Sequence, residues 1–216
     1  MTILRLLAWL SPAFPTGGYA WSHGMEWAVD VNDVHDGPSL LSWVSDVLRF
    51  GAGRNDAILT RNAHSATGSP AFLSEIVEIS RASAATRERY AETIGQGNAF
   101  RLAAASWNPG VLNAIEGDLP YPVAVGALAG ANGISGDDAV LGVLQAFAAN
   151  LISAAVRLVP LGQSTGLAVL AALEPVITAV AEETRHATLD DLGGACFLSD
   201  IASLRHETQY TRLFRS

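Results

Sequence analysis

The stretch Gly136-Asp137-Asp138-Ala139-Val140-Leu141-Gly142-Val143-Leu144-Gln145-Ala146-Phe147-Ala148-Ala149-Asn150-Leu151-Ile152-Ser153-Ala154-Ala155-Val156-Arg157-Leu158-Val159-Pro160 decides the fold class. From Ala139 to Val159 it is nearly all apolar and long enough to cross a bilayer. Gln145, Asn150, Ser153 and Arg157 interrupt it at helical spacing and lay a polar stripe along one side. An unpaired Arg or Asn is costly in lipid, so the pattern predicts the buried central helix of a bundle and not a membrane span. Gly136-Asp137-Asp138 supplies the start and Pro160 the stop.

Around this helix the apolar period is helical almost everywhere, and no convincing alternating strand is found. Towards the N-terminus, Tyr121-Pro122 opens an Ala- and Gly-rich helix over Val123 to Asn132, whose small residues let a neighbour approach closely. Before it, Asn108-Pro109-Gly110 is a turn and Val111 to Glu116 a short helix. Leu73 to Ile94 reads as the longest amphipathic helix, with Glu75, Glu78, Arg81, Arg87, Glu88, Arg89 and Glu92 as its charges and Gly95 as its stop. Gln96 to Trp107 continues beyond a kink. Gly37-Pro38 starts a helix with Leu40, Leu41, Val44, Val47 and Leu48 as core stripe, broken at Gly51-Ala52-Gly53 and resumed over Asn55 to His64. Nearest the start, Ile3 to Leu10 is a short helix, Pro12 to Gly18 a turn, and Tyr19 to Val31 a helix with two unlike faces. Trp21, Met25, Ala28 and Val29 form one face; Tyr19, His23, Glu26, Trp27 and Asp30 form the other.

On the C-terminal side, Ser164 to Glu174 is a helix that Pro175 either kinks or ends, with a further run to Arg185. A Gly-rich lead at Gly193-Gly194 precedes a last helix capped by Ser199. There Ile201, Leu204 and Thr208 share a face able to pack on the body. Tyr210, Leu213 and Phe214 follow at i, i+3, i+4 spacing, flanked by Arg205, Arg212 and Arg215 and with nothing after them to cover them. Aromatic and arginine side chains together are the usual anchors of interfaces. The reading is all-α: a single irregular multi-helix bundle domain of about ten helices over residues 1–216.

Composition narrows the function. The net charge of -8 argues against nucleic acid. All 13 basic residues are arginine, so no P-loop lysine exists and the chain is not itself a P-loop GTPase. A single cysteine, Cys196, excludes an internal disulfide and a Cys-rich metal site. No signal peptide is recognisable, and a cytoplasmic protein is expected. No G-x-S-x-G elbow appears, and no HExxH; the five histidines include no i, i+4 pair. Neither a catalytic set nor a cofactor is expected.

Three blocks carry a family resemblance. Leu10-Ser11-Pro12-Ala13-Phe14-Pro15-Thr16-Gly17-Gly18-Tyr19, through Ser22-His23-Gly24-Met25-Glu26-Trp27-Ala28, is the first. Asn150 to Gln163 is the second, and Asp200 to Ser216 the third. In this order they resemble the urease accessory family UreF. Trp21 stands where a smaller aromatic or His is common, and a proline usual before the third block is missing near Cys196-Phe197. The resemblance implies an all-helical, dimerising, non-enzymatic protein. It implies partners as well: UreD (UreH in some organisms), the GTPase UreG, and apo-urease, into which nickel is inserted in a GTP-dependent way. By similarity, Pro15, Gly17, Gly18, Tyr19, Ser22, Gly24 and Glu26 match the N-terminal motif, and Arg205, His206, Glu207, Tyr210 and Arg212 the C-terminal one. With His23, Leu213, Phe214 and Arg215 these are the expected partner-binding residues. The resemblance also implies a tail that is mobile alone and ordered in the complex. The alternative is a direct nickel carrier using His23, Glu26 and His206.

Overall fold

The computed structural model describes residues 2–107 and 109–216, so Asn108 of the expected turn lies outside it. The described residues contain eleven α-helices joined by 3-10 turns and loops, and no strand.

Helix α9 (Gly136–Leu158) forms as its ends dictate. The Ser135 hydroxyl accepts from the Asp138 N–H, and Asp137 and Asp138 place negative charge at the positive end of the helix dipole. Val159, extended ahead of Pro160, closes it. Its apolar side carries Val140, Leu144, Ala148, Leu151 and Ile152. These pack against α3 (Gly37–Phe50), through Leu40, Val44 and Leu48, and against α10 (Gly162–Glu183), through Val169, Leu173 and Ile177. Met25 and Ala28 of α2 (Met25–Asp30) close the same core. Each of the larger of these side chains, Val, Leu, Ile and Met, contributes about 1.5–3 kcal/mol when taken from water. A helix apolar enough to span a membrane here buries half of its most apolar window inside the fold.

A second core surrounds α8 (Tyr121–Ala131), which is buried on every side from Pro122 to Ala129. It is walled by Leu6 and Trp9 of α1 (Thr2–Trp9), Leu59 of α4 (Ala52–Ser65), Ile76 of α5 (Pro70–Ala82) and Phe100 of α6 (Arg87–Ala103). The short α7 (Gly110–Asn113) adds Leu112. The expected close approach is to α4. A Cβ on Gly126 would lie 2.2 Å from the Thr60 carbonyl oxygen, and one on Gly130 2.4 Å from that of His64.

Several expectations are corrected. The run 73–94 is two helices, because Thr86 caps a new one by accepting from the Arg89 N–H. Gly95 does not end α6, which runs on to Ala103. The helix expected over 111–116 closes at Asn113. Of the two alternatives at Pro175, an end to the helix is excluded, since α10 runs through it. Tyr19 to Val31 is helical only from Met25; before that, a 3-10 turn (Gly18–Ala20) and an extended Trp21 carry the chain. His23 and Gly24 then both take left-handed conformations, at φ 60 and 77. The last helix, α11 (Phe197–His206), starts two residues before the expected cap Ser199.

Candidate functional site: a docked C-terminal strap

Helix α11 turns its polar side inward. Ser199, Ala202, Ser203 and His206 are buried, while Ile201 and Leu204 are 50% and 53% exposed, the reverse of the expected packing face. The cause lies beneath it. Glu88, Arg89 and Glu92 of α6, expected as charges of an amphipathic helix, are buried, as is Glu26 of α2. Buried charges require partners: α11 supplies them to Glu26, Glu88 and Arg89, and His23 and Ser216 to Glu92. Ser203 Oγ meets Thr86 Oγ1 at 2.8 Å, and Arg89 Nη2 donates to Ser199 Oγ at 2.9 Å. Gly24 lets the helices approach: a Cβ there would sit 2.7 Å from the Ser203 nitrogen.

The helix stops at His206, so Tyr210, Leu213 and Phe214 do not share a helical face. Residues 207–216 form a strap docked on the body. The Glu26 carboxylate accepts from the Leu213 N–H through Oε1 at 2.7 Å and from the Phe214 N–H through Oε2 at 3.0 Å. Arg212 Nη1 donates to Glu88 Oε1 at 3.0 Å. Phe214 is buried beneath the Arg157 guanidinium, 4.3 Å above its ring, whereas Tyr210 is fully exposed and Leu213 76% exposed. The Arg215 N–H donates to the Ala20 carbonyl. The main-chain oxygen of Ser216 accepts from both the N–H and the hydroxyl of Ser22. At the root of the strap, Glu207 pairs with Arg87, and the Arg205 side chain is exposed.

The N-terminal turn lies against this strap. Gly17, at φ 74, lets the chain reverse into the 3-10 turn. The polar stripe of α9 receives it: Arg157 Nη2 donates to the Tyr19 carbonyl at 2.7 Å and Asn150 Nδ2 to that of Trp21 at 3.3 Å. Gly18 faces Asn150 and Gln96, Pro15 is exposed, and the Tyr19 ring stands 73% exposed. A cavity of about 150 Å³ between turn and strap is lined by Thr16, Gly17, Tyr19, Trp21, Gly95 and Arg215.

Two buried histidines sit below. His206 is enclosed, with Nδ1 2.8 Å from Glu88 Oε2 and Nε2 3.2 Å from Glu26 Oε2. His23 Nδ1 is 3.0 Å from Glu92 Oε2, and its ring stands edge-on to Phe147. Burial pushes the Glu92 carboxyl up to about 7, against the pull of Arg89 and of the Ser216 hydroxyl. Burial lowers Arg89 to about 10, which leaves it charged. Asp56 is raised to about 8, by burial first and then by Glu92. Of the residues of the carrier alternative, Glu26 and His206 meet, at 3.2 Å, while His23 is engaged by Glu92. Among the described residues no three His, Cys, Asp or Glu side chains form a cluster able to hold a metal ion.

The structure therefore brings Gly17, Gly18, Tyr19, Ser22, His23 and Glu26 together with His206 and the strap. Sequence reasoning missed Glu88, Arg89, Glu92 and Arg157 as parts of this site. The signal for α6 was the absence of any apolar stripe between Arg87 and Glu92; that for Arg157 was its place in the polar stripe of α9.

Fold and site define an all-helical protein whose chain ends are stitched into one surface, with exposed aromatic and aliphatic side chains on it. The UreF family profile matches residues 34–174. The urease accessory protein UreF of Mesorhizobium japonicum is 47% identical over 216 residues, covering 100% of this chain and 97% of that protein. The same-named protein of Bradyrhizobium sp. strain BTAi1 is 49% identical over 220 residues, with 99% and 92% covered. That of Rhizobium etli is 48% identical over 214, with 99% and 96% covered. The chain belongs to the UreF family.

Proposed function

We propose that this chain serves urease maturation as a non-enzymatic assembly factor, and that the turn-and-strap surface is where its partners bind. One observation carries this. The strap is held by backbone and buried polar contacts, while Tyr19, Tyr210 and Leu213, on the two stitched segments, project into solvent. Large apolar side chains on a rigidly anchored surface are what a docking interface needs. On this reading the partners are UreD, the GTPase UreG and apo-urease, the chain acts as a homodimer in the cytoplasm, and nickel passes to urease without turnover by this chain.

The test is co-expression with UreD and UreG from the same source, with the tag on this chain alone and the eluted species weighed by light scattering. Two copies of this chain with both partners are expected. Recovery of this chain alone would overturn the reading. The triple variant Tyr19→Ser, Tyr210→Ser, Leu213→Ser should remain folded, since all three side chains are exposed, and should lose the partners. Retention of both partners would remove this surface from the proposal.

A further inference from the structure

Asn132-Gly133 is the sole Asn-Gly pair of the sequence. In such a pair no side chain on the following residue hinders its nitrogen from reaching the asparagine amide. The pair forms the turn between α8 and α9. Asn132 caps α8, and Gly133 follows at φ 67. The Gly133 N–H donates to the Gly130 carbonyl at 3.1 Å and the Ile134 N–H to that of Ala129 at 3.0 Å, the Schellman pattern. The Asn132 side chain is held as fully as the backbone. Its Nδ2 donates to the carbonyls of Leu128, at 2.8 Å, and Trp107, at 3.1 Å, and its Oδ1 accepts from Arg5 of α1.

We propose that Asn132 is a latent deamidation site, protected by the fold and guarded by its bond from Arg5. The reaction needs no reagent but water. The Gly133 nitrogen attacks Cγ of Asn132; the N–Cγ bond forms as the Cγ–Nδ2 bond breaks, and Nδ2 leaves as ammonia with the Gly133 proton. Water then opens the cyclic imide at either carbonyl, giving aspartate or isoaspartate. Ring closure needs the Gly133 nitrogen on the same side of the Cα–C bond as the Asn132 Cβ. At ψ 8 the two are rotated well apart, and the Gly133 proton is committed to Gly130. Gly133 itself is exposed, so access of water is not the restraint. The restraint is the closed turn, and Arg5 makes its one charge-assisted side-chain bond. That arginine comes from α1, a helix of 8 residues anchored inward through Leu6 and Trp9. A guanidinium on Oδ1 also draws charge from Cγ, which alone would favour attack; with the nitrogen held away, fixing the amide outweighs it. The product would matter to the fold. A carboxylate cannot donate to the Leu128 and Trp107 carbonyls, and isoaspartate adds a carbon to the main chain between two core helices. The proposal goes beyond the docking reading, and its test uses neither the partners nor the strap.

The experiment follows deamidation in the full chain, in mildly alkaline buffer, by peptide mass spectrometry and enzymatic methylation of isoaspartate. The Asn132 peptide should convert about tenfold or more slowly in the folded chain than in the same chain in urea. Equal rates overturn the protection. Arg5→Ala should raise the folded-state rate about tenfold, the factor that one bond from a charged donor supplies. An unchanged or slower rate overturns the guarding role. Val44→Ala, which weakens the other core, separates local opening from global unfolding and should leave the Asn132 rate near that of wild type. Equal acceleration by both variants would show that the turn opens only with the whole fold, which overturns the role of Arg5. Arg5→Gln keeps most of the stem and carries the same expectation should Arg5→Ala fail to fold.

Discussion

Gly95 and Gly97 lie two residues apart on α6 and meet opposite surroundings. A Cβ on Gly95 would rest 3.4 Å from the edge of Trp21, an ordinary contact. A Cβ on Gly97 would lie 1.8 Å from the Leu119 carbonyl oxygen, which is backbone and cannot swing aside. Gly95→Ala should therefore stabilise the protein by up to about 1 kcal/mol, the helix-propensity gain. Gly97→Ala should cost about 3 kcal/mol or more, at or beyond the upper end of overpacking penalties. Urea unfolding of the two variants checks both, and equal effects would refute the argument. The sequence shows two glycines and suggests a helix stop at the first. It cannot show that the second is a crossing point, because the Leu119 carbonyl approaches from 22 residues away in the chain. The same holds for Glu26: its place in the N-terminal motif was legible, but its acceptance of two strap amides was not.

Among the elements, helix α10 carries Pro175 at an exposed position in its interior, where the ring removes one hydrogen bond to the Ala171 carbonyl. Pro175→Ala should raise stability by about 1–2 kcal/mol, allowing for the proline's ordering of the unfolded chain. A lower midpoint in thermal unfolding would count against this. Helix α11 gives a sharper contrast. Its apolar period marks Ile201 and Leu204 as the packing face, yet the structure buries Ser203 and exposes Ile201. Ile201→Ser should change the stability of the isolated chain by less than about 0.5 kcal/mol. Ser203→Leu, which loses the bond to Thr86 and forces a larger side chain into a fully buried position, should cost about 2–3 kcal/mol. Chemical denaturation of the pair tests the inversion, and a larger effect at Ile201 would restore the face expected from the pattern. Periodicity located α3, α8 and α9 because their partners are apolar. It failed at α6 and α11 because these two helices solve each other's charges, and a hydrophobic pattern is blind to a buried polar interface.

At the scale of the whole molecule, the buried charges set how stability varies with pH. Glu92 is raised from 4.5 to about 7 in the fold, chiefly by burial. The folded state therefore holds a proton that the unfolded state releases between these values, so stability falls as pH rises through that window. Asp56, raised from 3.8 to about 8 by burial and by Glu92, acts in the same direction, and the two carboxyls titrate as a coupled pair. The opposite sign belongs to Asp36, Asp137 and Asp191. Bonds from Ser39, Arg61 and Thr188 respectively lower these carboxyls, and their contribution is lost only when pH falls through the acid range. With a net charge of -8, each proton lost also adds to self-repulsion. Together these place the stability maximum in mildly acidic solution, near pH 5, below the neutral region. Urea unfolding at pH 5 and pH 8 should show wild type weaker at pH 8. Glu92→Gln keeps an acceptor for Ser216 and His23 but has no proton to lose, so it should reduce that difference by roughly 2 kcal/mol. The residual slope in the variant then belongs to Asp56, whose proton release with rising pH has the same sign. A variant with the full wild-type slope would show that Glu92 keeps its ordinary titration in the fold, and would remove it from the account of the buried network.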